Sequence, residues 1–297
     1  MLEGRQCPRG LGEIKQFVKK IFPATLLFLF SSSLLFSATF NFSSKKQNST
    51  PAAIEKPASE LPLGEKLQFD VFWMGVNVGF LEAEIREKTV IQGRDAYHIV
   101  VVARTNEFLS ALYPVHDEMQ SWMDAKTFYS LKFRKTLSEG RYRADEEVEF
   151  RPEEKKGLYY SFRNGTRKEF KMEEAAQDVV SAFYWFRLQS AAQGQNLKTL
   201  VNSKEKNWDL EVKILGLETK VIRGLGSVRT ICVEPQTSLR GALYQRGRAW
   251  VYFTTDQSRV PVWVTLKTPF GPIHGVLAVQ KKPLSQKSNP GFIDTPR

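Results

Sequence analysis

The chain has 297 residues, 42% hydrophobic, 12% aromatic and 25% charged, a composition that excludes a disordered, collagen-like or multi-span membrane protein. Two cysteines and three histidines (His98, His116, His274) exclude a disulfide-rich fold and a four-cysteine zinc site and leave little for metal chemistry. Of the formal charge of +11, the piece up to Thr50 carries +5, from seven bases and two acids, and the remaining +6 is diluted among alternating acids and bases, which is no footprint for a nucleic-acid backbone.

From Ile21 to Ser44 no residue is charged, and Lys15, Lys19 and Lys20 stand just before this run. Bases followed by an apolar stretch describe a signal peptide or a signal anchor whose N-terminus stays in the cytoplasm. As a helix it would reach roughly 36 Å, against a hydrocarbon core of about 30 Å. Cutting after Ala38 would put Phe36 at the −3 position, where a small residue is needed, so an uncleaved anchor is favoured. No cysteine follows the run until Cys232, which excludes lipoprotein processing and leaves no disulfide partner in the exported part. The expected organisation is a basic cytoplasmic N-terminus (1–20), a signal peptide or anchor (21–44), a flexible Ser-, Lys- and Pro-rich tether (45–62), a β-rich periplasmic domain (63–282) and a disordered tail (283–297). The inner membrane, reached through the N-terminal segment, is the first expected partner.

After Pro62 the dominant period is two. Leu67, Phe69, Val71 and Trp73 alternate with more polar neighbours, Met74-Gly75 breaks the run, and the apolar phase shifts near Phe80, which predicts a hairpin and a bulge. Similar runs span 97–105, 115–123, 128–137, 142–150, 157–162, 208–215, 228–233, 248–253, 261–267 and 273–279. About a dozen strands with short connections predict a mainly β fold: a large curled antiparallel sheet or half-open β-barrel. The exception is a helix predicted from Asp178, a good N-cap, to Gln193, stopped by Gly194. Val179, Ala182, Phe183 and Phe186 form one apolar stripe and Val180, Tyr184 and Leu188 another, so the helix should be covered on two sides by the sheet.

Phosphate loops, nucleophile elbows and zinc-protease helices are absent from the sequence. His116-Asp117-Glu118 gathers titratable groups, but on a strand Asp117 faces away from the other two. Cys232, between Ile231 and Val233, reads as a small core residue. The bases Lys132, Arg134, Lys135, Arg141 and Arg143 read as a solvated hairpin face rather than an anion site. Asp178 and Arg187 are expected to serve the fold, Arg187 in a buried ion pair with Asp117. Loss of the cap should then cost about 1 kcal/mol, and loss of the arginine about 3–5 kcal/mol. No catalytic residue, metal or cofactor is assigned.

Four segments carry a resemblance: 64–75 with Gly79, Tyr113-Pro114-Val115-His116-Asp117, 177–184, and Trp250 to Val262 with Asp256 and Pro261. In this order they resemble the domain of unknown function 3108 family of exported bacterial proteins, over about Leu61 to Lys282. Phe69 stands where a tyrosine is more usual, and Thr254-Thr255 replaces a Ser-Asp pair. The resemblance implies a periplasmic β-rich protein without an established activity, and its fold is similar to half-barrels that carry lipoproteins or acyl chains. The expected function is that of a non-catalytic envelope protein. It would bind an apolar or lipid-like ligand in a cavity lined or lidded by Phe183, Tyr184, Trp185 and Phe186, or bind an envelope partner protein; nucleic acid is not expected. The alternative is a periplasmic hydrolase or glycan-modifying enzyme using carboxylates such as Asp117 and Asp178.

Overall fold

The computed structural model describes residues 54–281 except 173, 204, 240, 241, 244–247 and 269. The segment expected to be a signal peptide or anchor and the C-terminal tail lie outside the described residues. Among those described, no helix is long and apolar enough to cross a membrane.

Fifteen strands form one sheet: β1 (Lys66–Trp73), β2 (Val76–Ile91), β3 (Arg94–Thr105), β4 (His116–Asp124), β5 (Ser130–Glu139), β6 (Tyr142–Arg151), β7 (Lys156–Ser161), β8 (Thr166–Lys171), β9 (Asn196–Ser203), β10 (Lys206–Ile222), β11 (Gly226–Leu239), β12 (Ala242–Leu243), β13 (Arg248–Thr254), β14 (Pro261–Thr268) and β15 (Gly271–Lys281). The spatial order is β8-β7-β6-β5-β4-β3-β2-β1-β15-β14-β13-β11-β10-β9, with β12 paired to β11. Neighbours such as β1 and β15 pair antiparallel, so the two ends of the chain's β region meet in the middle of the sheet. The fold is thus mainly β and antiparallel, as the alternation predicts, but strand pairing does not close it into a barrel: β8 and β9 remain as the terminal strands. The expected bulge falls at Val78, where Val71 pairs with Gly79 and Phe72 with Asn77, and a second falls at Arg86. Bulges add local twist and help such a wide sheet to curl.

Among the described residues two α-helices interrupt the strands. Helix α1 (Glu107–Ser110) links β3 to β4 and is capped by Asn106, whose side chain accepts from the Leu109 amide. Helix α2 (Val179–Arg187) links β8 to β9 and is capped by Asp178 in a capping box with Ser181. It is shorter than the expected helix to Gln193, because the residues beyond it spend their backbone groups on the sheet. Gly194 N donates to Ile214 O at 3.1 Å and Ile214 N to Gln195 O at 3.1 Å.

Helix α2 lies inside the curl. On one flank Val180 and Tyr184 join a cluster with Leu67, Ile85, Ile99 and Met123 from β1–β4. On the other, Trp185 and Phe186 join Val201, Leu210, Ile231 and Phe253 from β9–β13. Val180 and Tyr184 of one stripe and Phe186 of the other are thus covered by two halves of one sheet, while Val179, Ala182, Phe183 and Leu188 stay half-buried. A third cluster, Val78, Leu109, Tyr113 and Val115, closes the end of the sheet that carries the Met74, α1, Gly140 and Phe270 turns. The opposite end carries Glu65, the Gly93 turn and Ser258.

Candidate functional site

Three polar centres and one apolar stripe lie within this interior. The first is Asp178, only 1% exposed. Oδ1 accepts from Val180 N at 2.7 Å and Ser181 N at 2.9 Å. Oδ2 accepts from the hydroxyls of Ser121 and Ser130, each at 2.6 Å. A carboxylate has about four lone-pair sites, and all are taken. Burial pushes its pKa up while these four bonds oppose the shift. With no acceptor site left for a substrate proton, Asp178 fixes α2 onto β4 and β5.

The second centre corrects the expected partner of Arg187. Its guanidinium binds Glu65, not Asp117, in a bidentate pair: Nη1 to Oε1 at 2.6 Å and Nη2 to Oε2 at 3.0 Å. Nε donates to Ser258 O at 3.1 Å, and the Tyr184 ring centroid lies 5.3 Å from the guanidinium carbon. Arg187 and Glu65 are each 2% exposed. Asp117 cannot serve because it sits at the other end of the sheet, whereas the last turn of α2 faces the start of β1. Beside this pair lies Arg259, 1% exposed, whose Nη1 and Nη2 donate to Gln189 O and Glu55 O. Neither Glu65 nor Arg259 stood out in the sequence.

The third centre is Asp117 with Glu139, a residue the sequence did not single out. Asp117 is 3% and Glu139 1% exposed. Their carboxyls lie close enough to interact, and Ser138 N donates to Asp117 Oδ1 at 2.9 Å. Burial and the Asp117 charge push the Glu139 carboxyl up to about 8, and burial raises Asp117 as well. Two carboxyls cannot both ionise in such a place, so they share a proton. Asp117 and Asp178 do not converge. Asp178 bonds Ser121, four positions along β4 from Asp117, a separation of roughly 13 Å at the strand rise. His116 beside Asp117 is exposed. No group of three or more histidine, cysteine, aspartate or glutamate residues suited to a metal occurs among the described residues.

Other readings are settled by contacts. Cys232 is buried, and its thiol is pushed up to about 12 by burial. Lys132, Arg134 and Lys135 pair across the hairpin with Glu147, Asp145 and Glu146 at 2.9, 3.2 and 2.9 Å, leaving no concentrated cation there.

Of the four aromatic residues read as cavity lining, Tyr184, Trp185 and Phe186 are buried among the clusters, and only Phe183 is half-buried. Val179 and Ala182 are half-buried too, so the outer stripe of α2 is Val179, Ala182 and Phe183, with Phe128 packed beside it. Two residues before this stripe, Gln177 lies against β9, a terminal strand of the sheet. There the gap between β8 and β9 is bridged by other means: Lys168 reaches Glu205 at 3.0 Å, Gln177 N donates to Leu200 O at 2.8 Å and Asn202 N to Gln177 O at 2.7 Å.

No curated protein matches the chain in sequence. Among solved structures, a β-barrel-like protein of domain of unknown function DUF1849 from Brucella abortus is similar at a TM-score of 0.51 and 8% identity, covering 76% of this chain and all of that one. A Bacteroides fragilis protein provisionally described as exported, with a YmcC-like fold, covers 78% of this chain and all of its own at a TM-score of 0.35 and 10% identity. The first likeness is one of fold alone. In sequence, residues 68–278, from β1 to β15, match the model of the protein of unknown function DUF3108, and the chain belongs to that family.

Proposed function

We propose that the protein is a non-catalytic component of the bacterial cell envelope, exported by its N-terminal segment, that holds an apolar or lipid-like chain against helix α2. One observation carries the reading: among the described residues, α2 is the one long helix enclosed between the two halves of the sheet, and it keeps an apolar stripe, Val179, Ala182 and Phe183, only half-buried. An apolar side chain on an interior helix gains by burial, at about 25 cal/mol per Å² of area removed from water; a stripe left half-covered offers that gain to a ligand. Asp178, at the start of the helix, has its acceptor sites taken by structural bonds, so recognition along the stripe is by shape and apolar contact. Export rests on Lys15, Lys19 and Lys20 preceding the uncharged run 21–44, and residence in the inner membrane would follow if that run is not cut.

The test is binding of a fluorescent acyl probe, together with mass spectrometry of lipids that co-purify with the protein. Phe183→Asp should weaken probe binding about tenfold or more, since it puts a charge where a chain would lie. Unchanged binding in a folded Phe183→Asp protein would refute the site.

A further inference from the structure

The turns at the Met74 end of the sheet present a row of exposed apolar side chains: Met74 and Val76 at the β1–β2 turn, Phe108 on α1, Tyr142 after the β5–β6 turn, Phe162 at the β7–β8 turn and Phe270 at the β14–β15 turn. Phe108 is 77% and Met74 66% exposed, and an end of the sheet that carries six exposed apolar side chains is a candidate interaction face.

Contacts join these turns into one rim. Trp73 Nε1 donates to Phe270 O at 3.1 Å. Asn106 Nδ2 donates to Asn77 O at 2.8 Å, tying α1 to the β1–β2 turn. The Tyr113 ring packs on Gly140, where a Cβ would fall 2.6 Å from it. The Arg134 guanidinium on β5 lies 4.8 Å from the centre of the Phe162 ring, which ties the β7–β8 turn to the β5–β6 hairpin. Successive turns are two strand spacings apart, about 10 Å, so the apolar tips stand apart and do not line a groove, although Phe162 is partly held by Tyr160 and the Arg134 guanidinium.

Charge selects the partner. Among the described residues of these turns the exposed charges are Arg141, Arg143 and Arg163 against one acid, Glu107, with Arg104 and Arg167 exposed just inside the strands. The opposite end also exposes apolar side chains, Leu63, Val90, Val221 and Leu225, but there bases stand beside acids: Lys88 pairs with Glu60 at 3.2 Å, Arg94 with Glu153 at 2.5 Å and Lys156 with Glu154 at 3.0 Å. Separated apolar tips with arginines between them fit the headgroup boundary of a bilayer, which takes up single side chains and attracts cations. A folded protein partner would instead need a continuous packed surface.

We propose that this rim is a docking face for a membrane surface rich in anionic phospholipid. It lies at the end of the sheet opposite the segment 55–58, where Glu55 N bonds Thr255 O and Ala58 N bonds Gln257 O, each at 3.1 Å. It also stands without the ligand reading, since none of the α2 stripe is used.

The test uses the full chain with Cys7→Ser and Phe108→Cys, labelled with an environment-sensitive fluorophore; Cys232 is buried and spared. The protein is reconstituted into phosphatidylcholine vesicles with and without phosphatidylglycerol. The expected result is a blue shift and quenching by nitroxide-bearing lipids only when phosphatidylglycerol is present, reduced about tenfold by Arg141→Glu with Arg143→Glu and also by high salt. A label at Val90, exposed at the opposite end, should stay in water. Labelling Met74→Cys repeats the measurement should the Phe108 variant fold poorly. A rim label that remains in water on anionic vesicles would overturn the proposal. So would shielding that ignores lipid charge and rises with protein concentration, which would make the occupant a second copy of the chain.

Discussion

Replacing Arg187 by methionine removes the cation and leaves the Glu65 carboxylate inside the protein. Both partners are 2% exposed, and the pair is bidentate, at 2.6 and 3.0 Å, so little solvent is present to compensate. Breaking one side of such a pair costs about 3–5 kcal/mol, whereas replacing both sides by apolar residues of similar size is often neutral. Arg187→Met should therefore lower the melting temperature by roughly 6–20 °C, taking about 2–4 °C per kcal/mol for a domain of this size. Glu65→Leu combined with Arg187→Met should recover most of that loss. The residual cost would come from Ser258 O, which loses the Nε donor, and from the Tyr184 ring contact. Thermal and urea unfolding followed by circular dichroism measure all four corners of the cycle. If the double variant is as unstable as Arg187→Met alone, the penalty is not that of a stranded carboxylate. If Arg187→Met loses less than about 1 kcal/mol, the pair is not buried in solution and the placement of α2 is wrong.

Asp178→Ala should cost about 3 kcal/mol or more, well above an ordinary cap, because it also strands the hydroxyls of Ser121 and Ser130; adding Ser121→Ala and Ser130→Ala should restore part of it in urea unfolding. The pH dependence follows from Glu139, whose pKa rises on folding from 4.5 to about 8. The folded pair then holds a proton that the unfolded chain releases, so stability should fall as pH rises through that window, and melting curves of Glu139→Gln should lack that part of the slope. Gly79→Ala should destabilise by about 1–3 kcal/mol, since its Cβ would lie 2.1 Å from Arg104 O on the paired strand β3; an unchanged unfolding midpoint would count against that close approach.

Much of the sheet was legible because most strands bury one face, and a buried face writes itself as alternation. In β1, Leu67 and Phe69 are buried while Lys66 and Gln68 are not, and the pattern marks the strand at once. The strands that escaped are those with least to bury. β8 reads Thr-Arg-Lys-Glu-Phe-Lys and β9 Asn-Leu-Lys-Thr-Leu-Val-Asn-Ser, and both are terminal strands of the sheet. An edge strand has one neighbour, and lysines along it discourage further pairing, so its sequence answers to solubility before packing. Helix α1 is only four residues long, too short to show a period.

The polar centres were harder to foresee for a different reason. Asp178 and Arg187 declared themselves, being polar residues on a helix that is apolar on two sides, where each must find a partner or pay for burial. What their partners would be depends on which strand ends the curl brings opposite α2. Glu65 is 122 positions from Arg187 in sequence, and Asp117 looked equally available until the direction of α2 was known. Once Asp178 is bound to Ser121 and Ser130, β4 and β5 fix the start of the helix, and its last turn must then point toward Glu65 and Ser258. Asp117, left at the other end, has only Glu139 to share its proton with. The two bonds at Asp178 thus fix the start of α2 on β4 and β5, whereas the acid pair follows from the β4–β5 hairpin itself, which brings Asp117 beside Ser138 and Glu139.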